Sequence, residues 1–307
     1  MAAINDSGVS VIIPSYNSAA FLPETLKSVM AQTNPVAEIL VVDDGSTDDT
    51  EQVVARYSPK VTYIRQSNQG VSAARNLGFE QSRSEWVCFL DADDVWHPNK
   101  VARQLEEVRR DSETLFSFTG YYLFGDKSGN CLQSDELKKW DRLKEFLVPT
   151  ITILPSTAMV RRSVNVRFPQ WAKINEDTIY FNELSEIGQF VYLDEPLVGY
   201  RKHPSSAQAN PDHVLSGCKN MYQWAVERSE YDSSILPRLL GTFVTLLLRA
   251  KWKRDWHQYW IFRNFVLSHW KKQELPPEIK EHIFPPLIYR IKDICNSFIN
   301  SHKNVYG

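Results

Sequence analysis

The sequence predicts an α/β fold built on a doubly wound, mostly parallel sheet, followed by a helical C-terminal region. Short apolar segments alternate with helical stretches four times within residues 9–110, and polar clusters follow three of these segments. The pattern beyond residue 211 is almost wholly helical. Strict alternation of strands and helices is typical of a parallel sheet covered on both faces. Ligands of such sheets bind beyond the carboxyl ends of the strands, so we expect the polar clusters to meet at one site.

The first half of the chain contains four predicted strand–helix units. The strands are apolar or β-branched runs at residues 9–13, 38–42, 61–65 and 87–90. The helices follow at residues 19–32, 48–57, 73–79 and 98–110. Ser46 or Thr47 is expected to cap the second helix, because a hydroxyl can accept a bond from an unpaired N–H of the first turn.

The pattern changes beyond residue 114. Short strands are predicted at residues 115–118, 121–124, 190–193 and 197–200, a loop and strand at residues 155–160, and helices at residues 136–147 and from Glu176 onward. The helical tail has expected breaks at Pro237, Pro276–Pro277 and Pro285–Pro286. A stretch rich in Ser, Ala, Gln and Asn near residues 204–211 predicts a domain boundary. The expected domains are therefore residues 1–206 and a helical region of residues 207–307.

Composition is that of an ordinary globular protein. The chain has 307 residues, 43% hydrophobic and 23% charged, with a formal net charge of -2, so no strong global field attracts nucleic acid. The four cysteines lie far apart, which argues against a zinc site or a disulfide framework and fits a reducing cytosol. Residues 1–9 lack the pattern of a signal peptide, and no apolar run is long enough to span a membrane. We therefore expect a cytoplasmic protein.

Three carboxylates follow the fourth strand within four residues. Asp91 and Asp93 are one residue apart, so they point to the same side of an extended chain and can share one hard cation. Magnesium and manganese are usually held by one or two carboxylates together with substrate phosphates. A strand ending in this way is suited to a nucleoside diphosphate. The alternative is a solvated turn in which Asp94 caps the helix that Pro98 opens.

Six segments occur in an order that resembles a known family. They are residues 11–17 (VIIPSYN), 41–48 (VVDDGSTD), 70–76 (GVSAARN), 90–94 (LDADD), 176–177 (ED) and 200–203 (YRKH). Together they resemble family 2 of the inverting glycosyltransferases, which have the GT-A fold. The resemblance covers residues 8–206 and does not extend into the helical tail.

The resemblance implies a donor-binding role for five residues. Pro14 and Tyr16 are expected to line the pocket for the nucleotide base, with Tyr16 stacking on uracil or another base. Asp43 is expected to accept a hydrogen bond from the base, and Arg75 to lie near the base or the phosphates. Asp91 is expected to bind the ribose or the sugar, directly or through a metal. Alternatively, Tyr16 is a packed surface aromatic and Arg75 pairs with a nearby carboxylate.

The metal and the catalytic base also follow from the resemblance. Asp93 is expected to be the principal ligand of Mn²⁺ or Mg²⁺, with Asp91 and His203 as further ligands, and Asp177 is expected to be the general base. The residues after Asp177 depart from the aromatic and basic residues that the family usually has there. Glu176 and Asp177 also fit ordinary acids at a helix N-terminus, where the dipole favours them, and His203 fits a surface histidine.

The expected function is metal-assisted, inverting transfer of a hexosyl or N-acetylhexosaminyl group from a nucleotide sugar, most simply a UDP-sugar. The acceptor hydroxyl belongs to a growing glycan, a lipid-linked sugar or a small metabolite. Two alternatives stay open, namely a sugar-phosphate nucleotidyltransferase and a non-catalytic nucleotide-sugar-binding protein. In the tail, Trp252, Trp256 and Trp260 recur at the spacing of a helical turn beside basic residues. Such a stripe fits contact with the inner face of a membrane, with neighbouring helices or with a second copy in a homodimer.

Overall fold

The computed structural model describes residues 5–126, 128–131, 153–203, 212–230 and 235–269. The predicted helix 136–147 and the proline breaks after residue 270 lie outside these ranges. The chain divides into two compact units, Met1–Arg238 and Leu239–Gly307. The domain boundary predicted at residues 206 and 207 also falls outside the described residues, so it stays a prediction.

Within the described residues, nine strands form one sheet. They are β1 (Asn5–Ser15), β2 (Glu38–Asp43), β3 (Thr62–Arg65), β4 (Ser84–Phe89), β5 (Val95–Trp96), β6 (Thr114–Gly125), β7 (Gly129–Cys131), β8 (Met159–Arg161) and β9 (Gln189–Lys202). Their order is β3-β2-β1-β4-β8-β6-β9-β5, and β7 pairs with β6. The first four strands pair in parallel, as predicted. The sheet as a whole is mixed, because β8 enters antiparallel between β4 and β6, and β5 pairs antiparallel with β9.

The α-helices that the structure describes alternate with these strands and then dominate the C-terminal part. They are α1 (Leu22–Met30), α2 (Thr50–Ala55), α3 (Val71–Gln81), α4 (Lys100–Val108), α5 (Glu176–Ile187), α6 (Asp212–Ser229), α7 (Ile235–Trp252) and α8 (Trp256–His269). The predicted α/β class is confirmed. A short 3₁₀ turn, Pro155–Thr157, precedes β8.

Alternating side chains of β1 build the two faces of the sheet. Val11 and Ile13 are fully buried in a cluster with residues of α1 and α4, whereas Ile12 between them is buried with residues of α3 and α5. This is the period of two that a strand imposes. On the second face α3 approaches β1 very closely, since a Cβ at Gly78 would lie 2.4 Å from the Cγ2 of Ile12. Helices thus cover both faces and leave the carboxyl ends of the strands open.

Four of the predicted short strands combine into two long strands. Residues 115–118 and 121–124 both belong to β6, and residues 190–193 and 197–200 both belong to β9. The two strands pair in parallel, with register shifts around Gly120, which lies opposite Pro196. A proline has no N–H for the ladder, so the register shifts there while the strand continues. The breaks in the apolar pattern that suggested separate strands are therefore irregularities within the pairing of β6 with β9.

The helical tail departs from two predictions. Pro237 does not break a helix but lies in the first turn of α7, where no backbone N–H is needed. Trp252 and Trp256 do not share a helix, because α7 ends at Trp252 and α8 begins at Trp256, with Arg254 between them at a φ of 57°. The expected continuous tryptophan stripe is therefore wrong. Trp252 is 90% exposed. The described helices include none with the length and apolarity to span a membrane.

Candidate active site

A cleft of about 580 Å³ opens beyond the carboxyl ends of β1 and β4. Seven of the eight predicted site residues line it: Pro14, Tyr16, Arg75, Asp91, Asp93, Asp177 and His203. Asp43 does not line the cleft. The polar clusters that follow the first and fourth strands therefore meet on the cleft, whereas the cluster after the second strand does not line it. Residues 173–177, at and before the start of α5, form another part of the lining.

The loop between β1 and α1 is fixed by the loop between β2 and α2. The backbone N–H of Asn17 donates to the hydroxyl of Ser46 at 2.8 Å, and the N–H of Thr47 donates to the side-chain oxygen of Asn17 at 2.8 Å. Asn17 has a φ of 50°, a left-handed conformation that asparagine tolerates better than most residues. Tyr16 is consequently held with 52% of its surface exposed, so its ring is accessible to a ligand.

Asp43 is completely buried behind this loop. Its carboxylate accepts a bond of 2.7 Å from the backbone N–H of Ser46 and a very short one from the hydroxyl of Tyr63. Burial, together with that hydrogen bond, raises the pKa of Tyr63 above its ordinary value. Asp44 accepts from the side chain of Gln66 and from two backbone N–H groups of the turn before α3. Both carboxylates therefore organise the loops around the cleft.

Arg75 joins two carboxylates from distant parts of the chain. Its Nη2 donates to Asp91 at 2.8 Å and its Nη1 to Glu176 at 3.0 Å. Only 4% of its side chain is exposed. Burial opposes the charged guanidinium, but the two carboxylates outweigh burial and raise the pKa of Arg75. The alternative expectation, that Arg75 pairs with nearby carboxylates, is thus observed. Arg75 lines the cleft and connects two of its other lining residues, Asp91 and Glu176.

Asp93 lies next to His203. Its Oδ2 is 2.9 Å from the Nε2 of His203, which immediately follows β9. The ring of Phe21 lies 4.8 Å from the histidine ring. Burial raises the pKa of the Asp93 carboxyl, and the negative charge of Asp91 raises it further. The histidine is therefore part of the cleft rather than an isolated surface residue.

Asp94 points away from the cleft and supports the loop. It is fully buried, accepts from the hydroxyl of Ser156 at 2.6 Å and accepts from the backbone N–H of Arg201 at 3.0 Å. Burial and the neighbouring aspartates raise its pKa well above the ordinary value. The predicted capping role of Asp94 is wrong, because the N-cap of α4 is Asn99.

Asp177 lies in the first turn of α5, on the cleft. The turn before it is made by Asn175, which has a φ of 61°. The carboxylate accepts from the backbone N–H of Thr178 at 2.7 Å. Burial raises the pKa of Asp177 to about 7, Glu176 adds to the rise, and Arg75 opposes it. A carboxylate with this pKa is well matched to proton transfer near neutral pH.

Comparison with known proteins identifies the family. The model of Glycosyl transferase family 2 matches residues 10–167, just over half of the chain. A putative teichuronic acid biosynthesis glycosyltransferase, TuaG of Bacillus subtilis, is 32% identical over 213 residues, which are 66% of this chain and 82% of that protein. The chain belongs to glycosyl transferase family 2.

Two further relatives are matched over a smaller part of their length. Uncharacterized glycosyltransferases of Rickettsia conorii and Rickettsia prowazekii are 38% and 34% identical over 126 and 146 residues. Those segments are 40% and 47% of this chain but only 21% and 46% of the relatives. The chain therefore spans less than half of the length of these two proteins.

Solved structures confirm the GT-A-like fold of this family 2 chain. TarS 1–349 of Staphylococcus aureus in complex with UDP has a TM-score of 0.59 at 20% identity, covering 89% of this chain and 77% of that one. A mannosyltransferase of Pyrobaculum calidifontis, in complex with GDP-Man and Mn²⁺, has a TM-score of 0.57 at 16% identity, covering 87% and 88%. At these identities the likeness concerns the fold alone.

The donor set in the family 2 cleft fits a divalent cation. The Oδ2 of Asp93 and the Nε2 of His203 lie 2.9 Å apart on the cleft, and carboxylate oxygens and imidazole nitrogens are both atoms that coordinate divalent metal ions. Among the residues that the structure describes, no three acidic, histidine or cysteine side chains converge on one metal position. Asp91, Asp93 and His203 all line the cleft, and they would need phosphates and waters to complete the coordination shell of a divalent cation.

The sequence analysis did not identify the residues that hold the loop of residues 91–94 in place. Ser156 accepts from the backbone N–H of Asp91 at 3.1 Å while donating to Asp94, and the guanidinium of Arg201 donates to the backbone oxygen of Asp93 at 2.8 Å. Neither residue lies near this loop in the sequence. The only sequence signal was the position of Arg201 within the segment YRKH that carried part of the resemblance.

Proposed function

We propose that this protein is an inverting glycosyltransferase that moves a hexosyl or N-acetylhexosaminyl group from a nucleotide-diphosphate sugar to an acceptor hydroxyl. The observation that carries the proposal is the meeting of Asp91, Asp93 and Asp177 on one cleft in a family 2 chain. The structural neighbours hold UDP, UDP-GlcNAc and GDP-Man. A UDP-sugar is the proposed donor, and a glycan, a lipid-linked sugar or a small metabolite is the proposed acceptor.

Asp93 is the proposed principal ligand of Mn²⁺ or Mg²⁺, with Asp91 and His203 as further ligands. Such an ion supplies Lewis-acid stabilisation of the negative charge that grows on a leaving diphosphate. Asp91 is the proposed contact to the ribose or sugar, with Arg75 holding its Oδ1 in place. Because Arg75 is already engaged by two carboxylates, we assign it to positioning these groups as well as to the neighbourhood of the phosphates.

The base pocket is proposed to lie between the loops after β1 and β2. The exposed ring of Tyr16 offers a stacking surface, and Pro14 lines the cleft beside it. Asp43 is fully buried and does not line the cleft, so its proposed role changes from direct acceptor to support of the base pocket, where its carboxylate accepts from the Ser46 N–H and the Tyr63 hydroxyl.

Asp177 is the proposed general base. An acceptor hydroxyl becomes a good nucleophile as its proton is removed, and a carboxylate with a pKa of about 7 is deprotonated in part at neutral pH while still accepting a proton effectively. Direct attack by the hydroxyl on the anomeric carbon inverts that centre and needs no covalent enzyme intermediate. The Asp177 carboxyl then holds the proton until solvent removes it.

Donor binding is tested first by thermal unfolding. The wild type and Asp93→Ala are melted with UDP, GDP, CDP and ADP, each with and without Mn²⁺, and Asp49→Ala serves as an exposed control. A ligand present at about 100 times its Kd stabilises the folded state by about 2.7 kcal/mol. We expect UDP to raise the Tm of the wild type and of Asp49→Ala only with Mn²⁺, and Asp93→Ala to lose most of the shift. No shift with any diphosphate would contradict the proposal.

Turnover assays distinguish a glycosyltransferase from a non-catalytic binding protein and from a nucleotidyltransferase. UDP release and sugar transfer from UDP-GlcNAc and UDP-glucose are measured with the wild type and Asp177→Asn. Loss of transfer in Asp177→Asn with unchanged UDP binding supports the base. Equal activity of the two proteins, or binding without any turnover, would favour the non-catalytic binding protein. Formation of a nucleotide sugar from UTP and a sugar phosphate would identify the nucleotidyltransferase. Contact of the C-terminal helices with a membrane or a second copy stays a prediction.

A further inference from the structure

Helix α6 lies directly against α5 and the turn that precedes it. Gly217 of α6 faces Asn175, the indole N–H of Trp224 donates to Glu183 at 3.2 Å, and Arg228 pairs with Glu183 at 3.0 Å. Residues 217–228 of α6 therefore contact the turn before α5 and a later part of α5. The first contact of the series falls two residues before Asp177.

Gly217 permits this close approach. A Cβ at this position would lie 2.6 Å from Nδ2, 3.1 Å from Cγ and 3.2 Å from Oδ1 of Asn175. The whole amide of Asn175 therefore rests against the glycine. A glycine within a helix costs about 1 kcal/mol relative to alanine, and here the packing against Asn175 explains it. Asn175 itself is constrained, because its φ of 61° leaves few alternatives to the observed backbone.

Asn220 holds the same turn through its backbone. One turn of α6 beyond Gly217, its Nδ2 donates to the carbonyl oxygen of Ile174 at 2.9 Å. From inside the protein, Glu176 is held by Arg75 at 3.0 Å. The short segment 174–176 is thus held both by α6 and by Arg75 of α3, and Asp177 follows as the second residue of α5.

We infer that Gly217 and Asn220 are positioning residues for the catalytic base, so that α6 belongs to the catalytic unit although the family match ends at residue 167. The inference rests on the proposed role of Asp177. Neither residue lines the cleft or contacts the donor site. Their effect on catalysis passes through Ile174 and Asn175 to the Asp177 carboxylate.

The test compares Gly217→Ala and Asn220→Ala with matched controls. Gly241→Ala changes a glycine of α7 whose added Cβ would meet nothing within 4 Å, and Gln223→Ala removes an exposed amide of α6 that bonds to Glu227. We expect kcat to fall about 10- to 100-fold in the two test variants, since an ångström of misplacement has effects of this order. The donor KM and the UDP-induced rise in Tm should stay unchanged. The apparent pKa of the pH–rate profile should also move away from that of the wild type.

A rescue experiment excludes general misfolding. Asn175→Gly keeps a residue that adopts the left-handed conformation but removes the amide that a Cβ at Gly217 would strike. Gly217→Ala should therefore lower kcat at least 10-fold in the wild-type background and less than twofold in the background of Asn175→Gly. An equal loss in both backgrounds would overturn the inference.

A readout independent of sugar transfer completes the test. Hydrogen exchange of a peptide spanning residues 172–182 should be faster in Gly217→Ala and Asn220→Ala than in the wild type and both controls. Unchanged exchange together with unchanged kcat would overturn the inference. If the wild type itself transfers no sugar while exchange still accelerates, the proposed function fails but the mechanical link between α6 and the turn stands.

Discussion

The guanidinium of Arg75 and the carboxylate of Glu176 are joined by a bond of 3.0 Å across 101 positions of sequence. This contact connects α3, at the donor side of the cleft, to the start of α5. Since Arg75 also holds Asp91, a single buried cation sets the separation between the proposed sugar-binding carboxylate and the neighbour of the proposed base. The proposed donor site and the proposed base are therefore connected through one side chain.

Replacing Arg75 by methionine should destabilise the protein by about 3 kcal/mol, because two partly buried carboxylates lose their partner. Urea unfolding at pH 7.5 measures the change. Arg110→Met is the control, since this exposed arginine pairs with Glu106 and Glu107 on the surface of α4 and should matter by less than about 1 kcal/mol. Equal effects of the two substitutions would contradict the prediction.

The pH dependence of catalysis should follow Asp177. Because burial raises its pKa to about 7, kcat/KM should increase with pH up to about 7 and level off above it. Asp177→Asn should lower kcat about 10²- to 10⁴-fold and abolish this dependence. A wild-type profile that is flat between pH 5.5 and 8.5 would be incompatible with Asp177 as the base.

The raised pKa of Asp177 should also make the free energy of unfolding depend on pH. The ordinary pKa of an aspartate is 3.8, so the folded state retains the Asp177 proton between that value and about 7 while the unfolded state loses it. Its stabilising contribution is complete below pH 3.8 and is lost as pH rises through about 7. The unfolding free energy of the wild type minus that of Asp177→Asn should accordingly decrease between pH 4 and pH 7. An increase over this range would show that the sign is wrong.

His203→Ala should weaken the metal dependence without removing it, because Asp93 remains. We expect the Mn²⁺ concentration for half-maximal activity to rise about 10-fold, equivalent to about 1.4 kcal/mol. His97→Ala is a suitable control, as this exposed histidine lies before α4 and does not line the cleft. Indistinguishable Mn²⁺ titrations of the two variants would exclude His203 as a ligand.

Tyr63→Phe should weaken nucleotide binding through Asp43. The lost hydroxyl leaves one carboxylate oxygen of a fully buried aspartate without its donor, and a hydrogen bond to a charged group contributes about 1.5–3 kcal/mol. We expect the Kd of UDP, measured by calorimetry, to increase at least 10-fold. Tyr57→Phe removes a hydroxyl that bonds weakly to the backbone of Pro23, and it should leave the Kd unchanged.

Local periodicity predicted the first four strand–helix units, because each buries one face on its neighbours. The convergence of Asp91, Asp93 and Asp177 followed from the family resemblance. The antiparallel entry of β8, the bonds from Ser156 and Arg201, and the approach of Gly217 to Asn175 were not predictable. These features depend on contacts between segments that are far apart in the sequence. Neither local periodicity nor residue type predicts which of those segments come together.

The pairing of β9 with β6 and β5 has a consequence for the order in which the protein folds. His203 follows β9 and reaches Asp93 across 110 positions of sequence, a closure whose chain-entropy cost is about 4 kcal/mol. Contacts of such long range form late, after the local strand–helix units. The segment that the family model matches ends at residue 167, before α5, β9, His203 and the proposed base. The proposed active site is therefore completed only when β9, the last strand among the described residues, has paired with β6.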